Sequence, residues 1–302
     1  MQIGLVGLGK MGSPLALNLH DKGFEVVAFD VSENSRENVQ KEGVDVANNL
    51  SEMVLKLTTP RVIWLMIPSG EIIDKVIEEL TPLLSPNDVL IEGGNSFYKD
   101  SVRRYNSLKE KGIHFLDCGT SGGVTGARNG VCAMIGGDKA IFERCEPVFK
   151  SISVPNGYLH TGEAGSGHFV KMVHNGIEYG MMQSIAEGFE VFEKSNFRLD
   201  FEAIATLFNQ GSVIRGWLME LTANAFQKDP NLEAIKGVMH SSGEGKWTLE
   251  TALDLGVPTP VMAMSLMMRY RSLQEDTFSG KVVAALRNEF GGHAVVKNND
   301  EL

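Results

Sequence analysis

The stretch "KMVHNGIEYG" (171–180) carries Lys171, His174, Asn175, Glu178 and Tyr179. Wound as a helix at 100° per residue, these five side chains fall within an arc of roughly 140°. A face that only packs would be Leu, Val and Ala. This one can bond a polar substrate at five points, or it can be a solvated face. Spacing alone leaves both open.

A second candidate lies at the N-terminus. "GLGKMG" is a G-x-G-x-x-G made by Gly7, Leu8, Gly9, Lys10, Met11 and Gly12, set between the strand-like "QIGLV" and the helix-like "GSPLALNLHDKG". Glycines there permit a tight turn and close approach of a pyrophosphate, and a helix N-terminus supplies unpaired N–H groups and a positive dipole end. Pro14 suits a first helical turn. Asp30 closes the next strand, "EVVAFD", 18 residues past Gly12. A carboxylate there accepts both ribose hydroxyls and repels a 2′-phosphate, which favours NAD over NADP. Arg36 either turns toward a phosphate, leaving NADP as the weaker alternative, or lies on the solvated face of the next helix.

Further along, Met66, Ile67 and Pro68 end the strand "RVIWLMIP" and are cofactor-binding candidates. Asn95, in "EGGNS" at the end of another predicted strand, is placed to touch both nicotinamide and substrate, because ligands of open α/β sheets sit at strand carboxyl ends; an Asn-Ser turn is the alternative. "TSGGVTGARNG" (120–130) reads as a glycine-rich loop in which Ser121, Gly122 and Gly123 can converge on an anion. A flexible connection would look the same.

The elements needed to position these residues are legible as periodicities. "QIGLVG", "EVVAFD", "RVIWLMIP", "DVLIEGG", "HFLDCG", "CAMIGG" and "GYLHTG" read as strands, interleaved with amphipathic stretches such as "EIIDKVIEELTPLL". That alternation predicts an α/β Rossmann-type domain with a mostly parallel sheet. From about Ser166 helical periodicity takes over, with helices expected over 166–195, 200–210, 212–228, 231–239, 246–255, 259–274 and 278–289. The expected division is a dinucleotide-binding domain over 1–164 and an all-helical substrate and oligomerisation domain over 165–302. A loose tail is expected from Val295 onward.

The 302 residues suffice for two domains, and 43% hydrophobic with 22% charged residues suits packed cores. A net charge of −10 argues against a nucleic-acid binder, since phosphate contacts need a basic surface. No apolar run reaches a membrane span. The N-terminus lacks a signal-peptide pattern, and three sparse cysteines, Cys118, Cys132 and Cys145, suit buried thiols in a reducing cytoplasm.

Taken in order, "GLGKMG", "EGGNS", "SGGVTGARNG", "KMVHNGIEYG" and "GKWT" closely resemble 6-phosphogluconate dehydrogenase, within the wider β-hydroxyacid dehydrogenase family. The resemblance covers nearly the whole chain. It implies oxidation of 6-phosphogluconate at carbon 3, loss of CO2 and release of ribulose 5-phosphate, a step of the pentose phosphate pathway. It implies that Lys171 is the general base and then acid, and that Glu178 protonates the enediol. His174 and Asn175 would bond substrate hydroxyls and the ketone oxygen, while Tyr179, Lys246 and Arg269 would hold the phosphate. Arg271 stands two residues from Arg269 and is the other candidate. Without an aspartate cluster like that of metal-dependent decarboxylating dehydrogenases, no metal is expected.

Two departures from the family pattern matter. Many members carry Asn-Arg-Thr where this chain has Asp30-Val31-Ser32, and the missing arginine again favours NAD. The chain is also shorter than the commonest members. "LRNEFGGH" nevertheless keeps Arg287 and His293 six residues apart, as in the family's "QRDYFGAH". In the family that pair completes the neighbouring subunit's site, which implies a homodimer or homotetramer. The competing readings are a β-hydroxyacid dehydrogenase for a small unphosphorylated acid and a non-catalytic dinucleotide sensor.

Overall fold

The structure is a computed structural model and describes residues 1–297. The last five residues of the expected tail lie outside the described residues.

The chain opens with β1 (Gln2–Val6), α1 (Gly12–Asp21), β2 (Glu25–Phe29), α2 (Glu33–Lys41), β3 (Asp45–Val46) and α3 (Leu50–Lys56). It continues through β4 (Val62–Leu65), α4 (Glu71–Leu80), β5 (Val89–Glu92), α5 (Tyr98–Lys109), β6 (His114–Ser121) and α6 (Gly123–Asn129). β7 (Val131–Gly137), α7 (Lys139–Ile152) and β8 (Ser153–Gly162) complete the alternation. The helices α8 (Ser166–Glu193), α9 (Phe201–Phe208), α10 (Trp217–Lys228), α11 (Gly243–Asp254), α12 (Pro260–Ser272) and α13 (Phe278–Gly291) follow. The fold is the expected one: a mostly parallel α/β sheet followed by helices.

Two compact units are present. Met1–Ile177 with Gly243–Leu255 make the first, and Glu178–Ser242 with the chain from Gly256 onward make the second.

In the first unit one sheet runs β3-β2-β1-β4-β5-β6-β7-β8, parallel except where β7 returns antiparallel to β6. The order reverses between β1 and β4, so the ends of these strands flank a topological switch point. Both faces are covered, as a parallel sheet requires. One face packs Trp64, Ile91 and Cys118 against Leu15 and Leu19 of α1 and Cys145, Val148 and Phe149 of α7. The other packs Ile63, Leu65 and Leu90 against Met53 of α3, Ile73 and Ile77 of α4 and Leu108 of α5. Ile73, Ile77 and Leu80 recur at the i, i+4, i+7 spacing that puts one stripe of α4 on the sheet. Arg104 of α5 is buried between Glu92 of β5 at 3.0 Å and Asp74 of α4 at 2.7 Å, which ties two helices to the strand that ends in "EGGNS".

In the second unit Phe189, Ala205, Met219 and Phe226 form the core, with Phe192 and Phe201 packed around them. Asp200 caps α9 by accepting from the Ala203 amide at 2.9 Å. α13 buries none of its residues, and Phe278, Val282, Leu286 and Phe290 are all exposed on it.

Several expectations need correction. Residues 231–239 form turns rather than a helix, although Leu232, Ile235 and Met239 have the i, i+3, i+7 spacing of a helix. Leu232 takes φ +54 and the Asp229 carboxylate captures the Ala234 amide, a local bond that competes with helix. α10 begins at Trp217 rather than 212, because Gly211 at φ +74 and a Ser212 hydroxyl bound to the Ile214 amide hold a turn. The two-residue strand β3 carried no signal long enough to see. The glycine-rich segment 120–130 is not a loop throughout, since α6 occupies Gly123–Asn129. Cys132 is exposed, while Cys118 and Cys145 are buried. Burial pushes the Cys145 thiol up to about 11 and raises Cys118 further, so neither is a thiolate at neutral pH.

Candidate functional site

The dinucleotide candidates gather at the switch point. Gly7 takes φ +96, and a Cβ there would collide with the Met66 carbonyl oxygen at the end of β4. A Cβ on Gly12 would collide with the Gly7 carbonyl oxygen. These two glycines let the loop, the strand end and the start of α1 touch through backbone alone. Gly9 is different: nothing lies within 4 Å of the place its Cβ would take. No side chain caps α1, so its N-terminal dipole end is available to an anion. Lys10 is exposed beside it, with Met11 half-buried, and Met66 and Ile67 are half-buried while Pro68 is exposed. Leu8 is buried and its amide is already used, donating to Asp30 Oδ2 at 2.6 Å.

Asp30 therefore links the glycine loop to the end of β2. Its Oδ1 accepts from the Ser32 amide at 2.8 Å. Arg36 is half-buried, and its Nη1 donates to the Asp30 carbonyl oxygen at 2.6 Å, so it is not on a solvated face. Val31 stands 90% exposed. These residues fit a dinucleotide: an open glycine, an uncapped helix start and a carboxylate at the second strand's end.

Asn95 follows β5 at φ +48, a left-handed conformation that asparagine tolerates better than most residues. Its Oδ1 is buried without a protein donor, as is the neighbouring Ser96 Oγ. Buried polar atoms without partners are uncommon. At a strand end, Asn95 thus carries a buried acceptor that no protein group satisfies.

The polar stripe of α8 is not a solvated face. Lys171 is only 6% exposed, and its Nζ donates to Asn175 Oδ1 at 2.8 Å. His174 Nδ1 lies 3.0 Å from the same oxygen. An amide oxygen only accepts, so His174 Nδ1 donates to it, and His174 Nε2 meets the Ser121 hydroxyl at 3.2 Å. Four residues named from sequence, Ser121, Lys171, His174 and Asn175, are thereby one hydrogen-bonded cluster. Alternation along β6 explains it: Asp117, Gly119 and Ser121 share one strand face. Asp117 bonds the start of α8, Gly119 lies under Lys171 and Ser121 meets His174. Gly122 and Gly123 follow with φ +121 and +58 and open α6.

α11 packs beside this cluster. The Thr248 hydroxyl bonds the Met172 carbonyl at 2.7 Å, and the Trp247 ring lies 5.3 Å from that of Phe97. Lys246 is 60% exposed and sits 3.4 Å from Glu250. Glu244, which periodicity did not single out, is buried with Oε2 unpartnered.

Glu178 and Tyr179 continue α8 in the second unit. Glu178 is half-buried. The buried Tyr179 hydroxyl accepts from the Ser242 amide at 3.1 Å and meets the Ser242 hydroxyl at the same distance. Arg269 stacks its guanidinium 3.7 Å from the Tyr179 ring centroid and donates to the His240 carbonyl at 2.8 Å. Arg271 turns instead to the Gln274 carbonyl. Arg287 lies on α13 and His293 just beyond it, both exposed.

Sequence reading missed Asp117. The signal was present as one acid inside the apolar run "HFLDCG". Among the described residues, no helix is long and apolar enough to cross a membrane.

A family profile described as the NAD binding domain of 6-phosphogluconate dehydrogenase matches residues 2–162, and the C-terminal domain profile of the same enzyme matches 167–300. A Bacillus subtilis protein, named only provisionally as a 6-phosphogluconate dehydrogenase, is 59% identical over 297 residues, covering 98% of this chain and all of the relative. The NAD(+)-dependent, decarboxylating 6-phosphogluconate dehydrogenase of Haloferax volcanii is 39% identical, over 99% of this chain and 100% of its own. Among solved structures, the Plasmodium falciparum 6-phosphogluconate dehydrogenase, determined with NADP+ and with 6-phosphogluconate, superposes with a TM-score of 0.84 at 31% identity. That match covers 100% of this chain and 67% of the other.

Proposed function

Because the chain belongs to the 6-phosphogluconate dehydrogenase family, we propose that it oxidises 6-phosphogluconate, with NAD preferred over NADP, and releases ribulose 5-phosphate and CO2. The observation that carries this reading is the buried Lys171 amine, held by Asn175 in the cluster that His174 and Ser121 complete.

The bound nicotinamide supplies the acceptor for the hydride leaving carbon 3. Lys171 takes the proton from the hydroxyl at that carbon. The product of this step is a β-keto acid. Lys171, now an ammonium, donates to the ketone oxygen, so the electrons left when the carboxyl group departs as CO2 settle in an enediol. Glu178, seven residues along α8 and about 10.5 Å by helical rise, protonates the carbon that becomes carbon 1 of the product, while the enol hydroxyl returns its proton to Lys171 as the ketone forms. His174, Asn175 and Ser121 orient the substrate's hydroxyls, and Asn95 meets both substrate and nicotinamide. Gly122 and Gly123, at the start of α6, let the backbone approach the substrate closely.

Tyr179, Arg269 and Lys246 hold the phosphate. Arg269 is preferred to Arg271 because it stacks on Tyr179, while Arg271 is spent on its own helix end. Arg287 and His293 complete the site of a neighbouring subunit, in a homodimer or homotetramer. The exposed apolar stripe Phe278, Val282, Leu286 and Phe290 on α13 supports an oligomer. NAD preference rests on Asp30 at the end of β2. By task, residues 1–164 bind the dinucleotide and 165–302 serve substrate and assembly, in the cytoplasm.

One assay tests the reading: 6-phosphogluconate with NAD and with NADP, following reduced cofactor and CO2 together, beside 3-hydroxyisobutyrate. Equal yields of both products from 6-phosphogluconate, faster with NAD, are expected. Preference for 3-hydroxyisobutyrate refutes the substrate, and reduction without CO2 refutes the decarboxylation.

A further inference from the structure

We propose that Asp117 is a positioning residue, which holds the first turn of α8 against β6 and so places the Lys171 amine. The inference rests on the proposed role of Lys171 but concerns a residue to which that reading gives no task.

The first N–H groups of a helix have no partner within it, and a Ser, Thr, Asp or Asn just before the helix usually supplies one. Before α8 stands Gly165, at φ +91, with no side chain to offer. Asp117 supplies the acceptors from a different element. One carboxylate oxygen accepts from the Gly165 amide at 2.6 Å and the other from the His168 amide at 2.8 Å. His168 is the third residue of the helix, the position whose amide a cap ordinarily bonds. The Asp117 side chain is fully buried, so these charge-assisted bonds act without competition from water. The negative charge also lies at the positive end of a 28-residue helix.

No layer of side chains separates this turn from the sheet. A Cβ on Gly167 would stand 2.7 Å from the Asp117 carbonyl oxygen, and one on Gly136 would stand 2.6 Å from Asp117 Oδ1 and 2.7 Å from the Gly167 amide. A displacement of the helix start therefore cannot be absorbed by rotamer changes in between. His168 is also held from α5, its Nδ1 2.7 Å from the buried Ser101 hydroxyl. Lys171 follows His168 by three residues, so the height and rotation set at Gly165 and His168 are passed on within one turn.

Asp88 provides a matched comparison. It is likewise fully buried and accepts from the Arg61 and Ser85 amides at 2.7 and 2.9 Å. It stands just before β5, whereas Asp117 pairs with Glu92 at the other end of that strand. The Asp88 carbonyl oxygen accepts from the His114 amide where β6 begins, but its carboxylate, which also accepts from the Arg61 guanidinium at 2.9 Å, is bonded to neither α8 nor β6.

The test compares Asp117→Asn with Asp88→Asn in the full chain. Three quantities are read: hydrogen exchange of the 165–168 amides, labelling of the Lys171 amine by trinitrobenzenesulfonate, and kcat with KM for 6-phosphogluconate. Asp117→Asn should speed both exchange and labelling at these positions and lower kcat on the order of 100-fold, with KM and the NAD dissociation constant within about threefold. Asp88→Asn should lower the melting temperature and leave all three quantities near wild type. Should Asp117→Asn not fold, Gly136→Ala, which presses a methyl against Asp117 Oδ1, is read in the same way. Unchanged exchange and labelling overturn the proposal, as does a kcat loss no larger than that of Asp88→Asn. A wild-type chain inactive on 6-phosphogluconate instead refutes the proposed reaction, while exchange and labelling still judge Asp117.

Discussion

Gly119 of β6 lies directly beneath Lys171 of α8: a Cβ on the glycine would collide with the lysine Cβ and stand 2.8 Å from its Cγ. The obstructing atoms are the root of the lysine, not its mobile end, so the helix or the strand must shift to admit a methyl. Gly119→Ala should cost about 1–3 kcal/mol of stability by overpacking. It should also lower kcat on the order of tenfold or more while NAD affinity holds. Thermal melts with steady-state kinetics check both, and a variant with wild-type kcat would show that Lys171 need not sit where this contact puts it.

Lys171→Ala should abolish oxidation and leave cofactor binding intact. Calorimetric titration with NAD separates the two, and lost NAD affinity would assign Lys171 a structural task instead. Glu178→Gln should slow overall turnover by about 10²–10⁴-fold, the usual worth of a positioned proton donor. Unchanged turnover excludes it as the acid.

Asp30→Ala removes the acceptor of the Leu8 and Ser32 amides and, with it, the carboxylate proposed to meet the ribose. The ratio of kcat/KM for NAD over that for NADP should fall by about tenfold, equivalent to ~1.4 kcal/mol. Arg36 stays bonded to the backbone carbonyl of residue 30, so the change isolates the carboxylate. An unaltered ratio would refute the ribose argument.

Asp74 carries a pH prediction. Burial alone would raise its carboxyl, but Arg104 and Arg103, bonded at 2.7 and 2.9 Å, hold it below the ordinary range. A depressed folded-state value stabilises fully above the unfolded value near 3.8, and the contribution is lost as pH falls through the lower folded value. Denaturation midpoints should therefore drop below about pH 4 in the wild type. In Asp74→Asn that part of the drop should vanish, with lower stability at neutral pH. Parallel curves for the two proteins would deny the ion pair this role.

Much of the architecture could be read from periodicity because burial imposes it locally. Short apolar runs became the central strands, and the Ile73–Ile77–Leu80 spacing became a helix stripe. The same reasoning failed over 231–239, where helical spacing was present but the Asp229 carboxylate captured the Ala234 amide and Leu232 turned left-handed. Spacing records which residues can share a face; it does not record which local hydrogen bond wins.

The site divides along the same line. By itself the sequence determined the identity and helical order of Lys171, His174, Asn175, Glu178 and Tyr179, and the glycine turn that opens the dinucleotide end. Those follow from steric rules over a few residues. Only the tertiary structure decided that the stripe is buried, that Ser121 belongs with His174, and that Arg269 rather than Arg271 stacks on Tyr179. It alone set Asp117 at the start of α8, 48 residues away from the Gly165 amide it accepts. Such pairings depend on which strand face meets which helix turn, and that is fixed by the packing of the whole unit rather than by any short stretch of chain.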